Sequence, residues 1–291
     1  MLAVFFLDKV FVRFYTFVYI VVHLSLIRTF RMSKLLPNER HQAILVTLQQ
    51  QGRVLAIEMA AQLHTTEATI RRDLRQLAAQ NLCKRIYGGA LALTPAGGYL
   101  AERVEISGDE KHRLAQAALA LIQSGQVIFL DAGSTYLYLA DLLPRDRQLT
   151  VVTNALSVAS RLLERPGIRT IMIGGEVDAE IGGSVDAKAL AEIASFRFDI
   201  AFTGVCAYDP DSGFTALRYQ EAQFKKQMLA RAGNVAVLCT RDKFNTYAPY
   251  TLMPASQVDY LVIARGGHTQ LEQQVTLSGG NVLYIPADDG E

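Results

Sequence analysis

The chain has 291 residues, enough for two domains that each bury a core. Half of the residues are apolar and a fifth are charged, an ordinary balance for a globular protein. Cys83, Cys206 and Cys239 lie far apart with no CxxC pair or His cluster, which argues for reduced thiols and against a disulfide frame or a zinc site. The net charge of +1 hides an asymmetry: residues 1–31 carry net +3, residues 32–98 net +4, and the remainder 17 basic against 23 acidic residues, net −6. A basic small domain joined to an acidic large one fits a polyanion binder fused to something that is not one.

Residues 1–31 form a hydrophobic extension. Its apolar run, Phe14 to Ile27, has basic residues on both sides but is shorter than the ~20 residues of a bilayer-spanning helix. No small-residue cleavage site follows it. Three readings compete: a membrane anchor, a folded extension, and an artefact upstream of a true start at Met32. The last is preferred, because a coherent domain begins there.

Residues 32–93 read as a winged helix-turn-helix. Asn38 caps a first helix that reaches Gln51, with Ile44, Leu45 and Leu48 as its apolar stripe and Gly52 as its stop. A second helix, Ala56 to Leu63, turns Ile57, Ala60, Ala61 and Leu63 inward. His64 and Thr65 make the turn, and Thr66 caps a third helix reaching Ala79. In that helix Ile70, Leu74 and Leu77 form the buried seam. The opposite face shows Thr66, Glu67, Thr69, Arg71, Arg72 and Arg75, placed to meet base edges and phosphates in a major groove. Two short strands around Gly88-Gly89 then make a wing, with Lys84 and Arg85 available to flanking phosphate. The partner so implied is double-stranded operator DNA. The bland alternative is a solvated basic helix or a protein-docking module. The runs TEATIRRDL (Thr66–Leu74) and RIYGGA (Arg85–Ala90) resemble the DNA-binding domain of DeoR-family bacterial transcription regulators.

Residues 94–108, with Pro95, Gly97, Gly98 and Gly108, read as a linker. From residue 109 to 291 helical and strand patterns alternate. Strands are expected at Val127–Leu130, Thr150–Thr153, Arg169–Ile173, Asp199–Thr203, Val235–Cys239, Tyr260–Ala264 and Val282–Ile285. Such alternation predicts a parallel-sheet α/β domain, so the fold class is α/β with an N-terminal winged helix-turn-helix. Ligands of such sheets sit beyond the carboxyl ends of the strands. Three strand ends share a suitable chemistry. Asp131 is followed by Gly133, Ser134 and Thr135, which open a helix where a phosphate would be favoured. The second is Thr153-Asn154 and the third Gly174-Gly175. Singly, each has a bland reading as a cap, a turn or a loop.

The runs Glu110–Thr135, Leu149–Leu156, Ile171–Val177, Phe198–Val205, Glu221–Leu229 and Arg241–Phe244 resemble the DeoR-family sensor domain, in the family's order. That family's sensors are similar in fold to ribose-5-phosphate isomerase and bind phosphorylated sugars or related metabolites. The resemblance implies an effector pocket with phosphate at Gly133, Ser134 and Thr135, and with Asp131, Asn154, Gly174, Gly175, Lys225 and Lys243 as further candidates. For Lys225 and Lys243 a surface salt bridge is the competing reading. Two departures stand out. Thr240 occupies the place where the family carries an Asp before the Lys-Phe pair, and the Gly182-Gly183 region is atypical.

The resemblance implies a DNA-binding regulator, expected to be a repressor, cytoplasmic and homo-oligomeric, with no cofactor and no metal. The alternative is a sugar-phosphate isomerase-like enzyme with an appended DNA-binding domain. Isomerase chemistry needs a positioned carboxylate, and the run Thr203 to Tyr208 contains none. Asp209, Asp211 and Glu221 lie nearby, but Asp209 to Gly213 reads as a turn. Binding without turnover is therefore preferred.

Overall fold

The computed structural model describes residues 35–94, 98–266 and 268–285. The apolar extension and the three readings of it lie outside these residues. No helix among the described residues is long and apolar enough to cross a membrane.

The amino-terminal domain is built on helices α1 (Pro37–Gln51), α2 (Ala56–Gln62) and α3 (Glu67–Ala79) and on strands β1 (Arg53–Leu55), β2 (Lys84–Ile86) and β3 (Gly89–Leu93). Helix α1 begins one residue before the expected Asn38 cap, because Pro37 has its φ fixed for a first helical turn. It stops at Gly52, whose φ of +74° an L side chain rarely adopts. Its small core contains Ile44, Leu48, Met59, Ile70, Leu74 and Leu77. Helix α2 departs from expectation: Ile57 and Ala61 are exposed, while Ala56, Met59 and Ala60 face inward. The helix starts at Ala56, so the i, i+3, i+4 stripe from that residue leaves Ile57 outside.

The wing turn is Tyr87-Gly88, not Gly88-Gly89. Ile86 pairs with Gly89, and Gly88 takes the positive φ of +81°. Gly89 is a strand residue whose missing side chain matters for a different reason. A Cβ there would lie 1.9 Å from the Val54 carbonyl oxygen, so only glycine lets β1 approach β3.

Beyond residue 98 come α4 (Leu100–Glu105), α5 (Gly108–Ala118), β4 (Val127–Leu130), α6 (Ser134–Leu142), β5 (Leu149–Thr153), α7 (Leu156–Leu162), β6 (Ile168–Met172), β7 (Val177–Asp178), β8 (Gly183–Ser184), α8 (Ala187–Ile193), β9 (Ile200–Phe202), β10 (Ala207–Asp209), β11 (Gly213–Ala216), α9 (Tyr219–Leu229), β12 (Val235–Leu238), β13 (Thr246–Tyr247), β14 (Tyr250–Met253), β15 (Tyr260–Ala264), α10 (Thr269–Leu277) and β16 (Asn281–Ile285). Among them a seven-stranded sheet has the order β16-β15-β12-β9-β4-β5-β6, parallel throughout. Its central strands are unbroken apolar runs covered by apolar clusters, the pattern a doubly covered parallel sheet requires. Every strand expected in this domain is present, within one or two residues at its ends.

The segment expected to be plain linker instead carries helix α4. Its Arg103 Nη2 donates to the carbonyls of Glu180 (2.6 Å) and Ile181 (3.1 Å), at the β7–β8 hairpin. Strand β13 joins the other half of the molecule. It pairs in parallel with wing strand β3, Thr246 opposite Ala92 and Tyr247 opposite Leu93. The wing sheet is thus completed by two residues of the sensor domain.

Candidate functional site

Helix α3 presents its polar side as expected. Thr66 is the cap, its Oγ1 accepting from Thr69 N–H at 3.2 Å. The Thr66 and Thr69 hydroxyls are themselves 2.9 Å apart. Glu67 accepts from Arg71 Nε (2.9 Å) and Nη2 (2.6 Å), an exposed pair one turn apart. Such a pair is weak in water, so a phosphate can compete for Arg71. Arg72, Arg75, Lys84 and Arg85 are exposed. Sequence reading missed two things here. Tyr87 stands fully exposed at the wing tip. Asp73, in the middle of the basic run, is buried and faces inward. Its carboxylate accepts from Arg40 at 2.8 and 3.1 Å, which locks α3 to α1 and fixes how the recognition helix is held. An arginine 33 residues away gave no local signal.

The second site is a cavity of about 300 Å³ at the carboxyl end of the parallel sheet. The amino terminus of α6 forms its floor. Gly133 is the cap residue in extended conformation, and Ser134 and Thr135 make the first turn. Free N–H groups and the helix dipole favour an anion there. Lys111, Arg103 and Lys243, from three separate segments, also line the cavity, Lys243 in an ion pair with Asp242 at 3.0 Å. Burial, aided by the charge of Lys243, brings the Lys111 ammonium down to about 8. It donates to the carbonyls of Arg103 and Ile106 at the end of α4. An incoming dianion would meet a cation already stripped of much of its water.

Behind the floor, Asp131 anchors a closed network. Its Oδ1 accepts from Ala132 N–H (2.7 Å) and its Oδ2 from Gly204 N–H (2.8 Å), tying β4 to the end of β9. Lys225 Nζ lies 3.2 Å from Asp131, 2.6 Å from Glu221 and 2.8 Å from the Gly204 carbonyl. Burial alone would push this ammonium down, but Asp131 and Glu221 outweigh it and hold it above its ordinary range. The surface salt-bridge reading does not hold for Lys225, which is buried. It donates to Glu221 and to the Gly204 carbonyl and is ion-paired with Asp131, so its charge is balanced within the wall it shapes. Glu221, also in the lining, accepts from Lys225 through Oε1. Asp209 folds onto its own turn, its Oδ1 accepting from Asp211 and Ser212 N–H at 3.0 Å each.

The cavity brings together Gly133, Ser134, Thr135, Lys225 and Lys243 from the sequence candidates. Asp131 stays behind the lining, and Asn154, Gly174 and Gly175 are not part of it. Asn154 is buried and donates to the Ser184 carbonyl at 3.1 Å, so it holds the β7–β8 hairpin. Gly174 N–H is turned to Glu192, and Gly175 packs against the Asp186 carboxylate. These residues follow β5 and β6, on one flank of the β4, β9 and β12 ends where the cavity opens. At the departure from the family pattern, Thr240 Oγ1 lies 2.5 Å from Asp242 Oδ1. Both residues line the cavity, so a carboxylate is present two positions later than the family places it. Lys111, Arg103 and Thr94 were not singled out from the sequence; all three line the cavity.

A family model for the DeoR C terminal sensor domain matches residues 106–265, and one for the DeoR-like helix-turn-helix domain matches residues 40–96. The chain belongs to the DeoR family. Similar proteins in that family include the glycerol-3-phosphate regulon repressor of Escherichia coli K12, 32% identical over 76% of this chain and 88% of that protein. Another is a putative aga operon transcriptional repressor of Escherichia coli O157:H7, 29% identical over 85% of this chain and 94% of that protein. Among solved structures, ribose 5-phosphate isomerase A from Methanocaldococcus jannaschii is similar at 19% identity over 47% of this chain and 54% of that chain, with a TM-score of 0.35. A score that low carries no argument about the site. As a DeoR-family regulator, the chain is a DNA-binding protein with a small-molecule sensor domain, and these relatives lend no support to an isomerase.

Proposed function

We propose that this DeoR-family protein represses transcription from the cytoplasm as a homo-oligomer, and that a phosphorylated sugar or polyol in the α/β cavity releases it from its operator. One observation carries the reading. A helix amino terminus with two hydroxyls, and three cations from separate segments, face one cavity at the carboxyl end of a parallel sheet. Phosphate is the group this chemistry favours, and the names of the relatives point to the same class of metabolite. Residues Thr66, Glu67, Thr69, Arg71, Arg72, Arg75, Lys84 and Arg85 face the operator in this reading. Two-fold operators call for at least a dimer.

The test titrates the full chain onto DNA from upstream of its own and neighbouring genes by fluorescence anisotropy. It is run with and without glycerol 3-phosphate, glucose 6-phosphate and fructose 1-phosphate. Salt-sensitive binding released by one of them is the expected result. The double variant Ser134→Val, Thr135→Val should still bind DNA and lose the response. Release that persists in that variant would move the phosphate elsewhere.

A further inference from the structure

Thr94 is where the two halves of the molecule meet. It directly follows wing strand β3, and its N–H donates to the Tyr247 carbonyl at 3.0 Å, so β13 of the sensor domain holds its backbone. The residue lines the effector cavity and is only 8% exposed. Its Oγ1 has no hydrogen-bond partner among the described residues. Arg103, which lines the same cavity from helix α4, also has a buried Nε with no partner among them. Leaving a buried hydroxyl unpaired costs about 1–3 kcal/mol, and folded proteins pair nearly all such groups. Two on the wall of one cavity indicate that their partner arrives with the molecule the cavity binds.

We propose that Thr94, a residue of the DNA-reading half, is itself an effector-binding residue, its hydroxyl hydrogen-bonding to a sugar or polyol hydroxyl of the bound molecule. The proposal rests on the reading that the cavity holds a phosphorylated sugar or polyol. A threonine hydroxyl both donates and accepts, as a polyol hydroxyl does. The cations and the α6 amino terminus suit the phosphate end instead. A molecule held at both ends bridges the sensor sheet and the wing strand. From Thr94 the chain runs straight back through β3 to the wing hairpin. Occupancy then changes where the wing sits without any long relay, because the effector touches the strand that carries the wing.

The experiment is calorimetric titration of the full chain, and of its Thr94→Val and Thr94→Ser variants, with the three sugar and polyol phosphates above and with inorganic phosphate. Valine keeps the shape and removes the hydroxyl; serine keeps the hydroxyl. The expected result is an about ten-fold loss of sugar-phosphate affinity in Thr94→Val. Thr94→Ser should stay within about two-fold of the parent, and inorganic phosphate should bind both variants as it binds the parent. Melting curves establish that each variant is folded; should Thr94→Val not fold, Thr94→Ala takes its place. Equal sugar-phosphate affinity in the parent and the hydroxyl-less variant overturns the proposal and leaves the pocket intact. So does an equal loss for inorganic phosphate, which would assign the hydroxyl to the phosphate end or to packing. A parent that binds none of the four compounds overturns the pocket reading and this proposal with it.

Discussion

The ammonium of Lys84 lies 4.7 Å from the ring centroid of Tyr247. One residue belongs to the wing and the other to the sensor domain, so this contact crosses the boundary between reading DNA and sensing metabolite. Lys84 is exposed and Tyr247 half-buried, and a cation over a ring at such a solvent-facing site contributes about 0.5–1 kcal/mol. A double-mutant cycle with Lys84→Met and Tyr247→Leu, followed by urea unfolding, should return a coupling of about that size. A coupling of zero would reduce the contact to proximity.

The Arg40–Asp73 pair makes a stronger prediction. Both side chains are buried and joined by two hydrogen bonds. Asp73→Asn leaves the Arg40 charge in the core without its counter-charge, which costs about 3–5 kcal/mol. The amino-terminal domain should unfold at lower urea than the sensor domain, and operator binding should fall with it. A single unshifted transition would show that the pair contributes little to holding α3.

Recognition-helix arginines should behave differently. Arg72→Ala removes an exposed side chain, so melting should not move. Operator affinity should drop by about 1–3 kcal/mol if Arg72 reads a base. If it holds a phosphate instead, the logarithmic salt slope should shrink by about one. Arg71→Ala should cost less than Arg72→Ala, because free Arg71 is already occupied by Glu67. Anisotropy titrations at three salt concentrations separate these cases.

Lys111 sets a pH signature. Its ammonium is lowered to about 8 in the folded chain from an ordinary 10.5. Between those values the unfolded chain holds the extra proton, so this group makes stability rise with pH from about 8 to 10.5. The cost of burying the charge is fully present below pH 8. In Lys111→Met that cost is gone, so the stability difference between variant and parent should shrink across the window. Phosphate binding should run the other way and weaken above pH 8, as the cation facing the phosphate is lost. Urea midpoints and phosphate titrations at pH 7, 8.5 and 10 measure both effects.

Much of the architecture could be read from the chain because its signals were local. The β4, β12 and β15 strands are unbroken apolar runs, and Ile70, Leu74 and Leu77 repeat at helical spacing. The amino terminus of α6 was legible for the same reason, since Gly133, Ser134 and Thr135 are adjacent. The pieces that did not show are short or non-local. Helix α4 has six residues and β13 has two, too few for any periodicity. The roof of the cavity, where Thr94 and Arg103 lie, was therefore read as linker. Asn154 carried the right residue type at a strand end, but its side-chain amide is taken up by the Ser184 carbonyl, a partner 30 residues away that no single strand announces.

The parallel pairing of β13 with β3 also bears on how the protein can be dissected. A fragment ending at residue 93 or 94 would look like a complete winged helix by its own sequence. It would nevertheless carry an open strand edge at Ala92 and half-exposed Leu93, whose missing partners, Thr246 and Tyr247, lie far downstream in the chain. Open edges of that kind recruit other chains. The fragment is therefore expected to self-associate through that edge, which β13 covers in the intact chain, and this association would say nothing about how the native protein assembles on its operator.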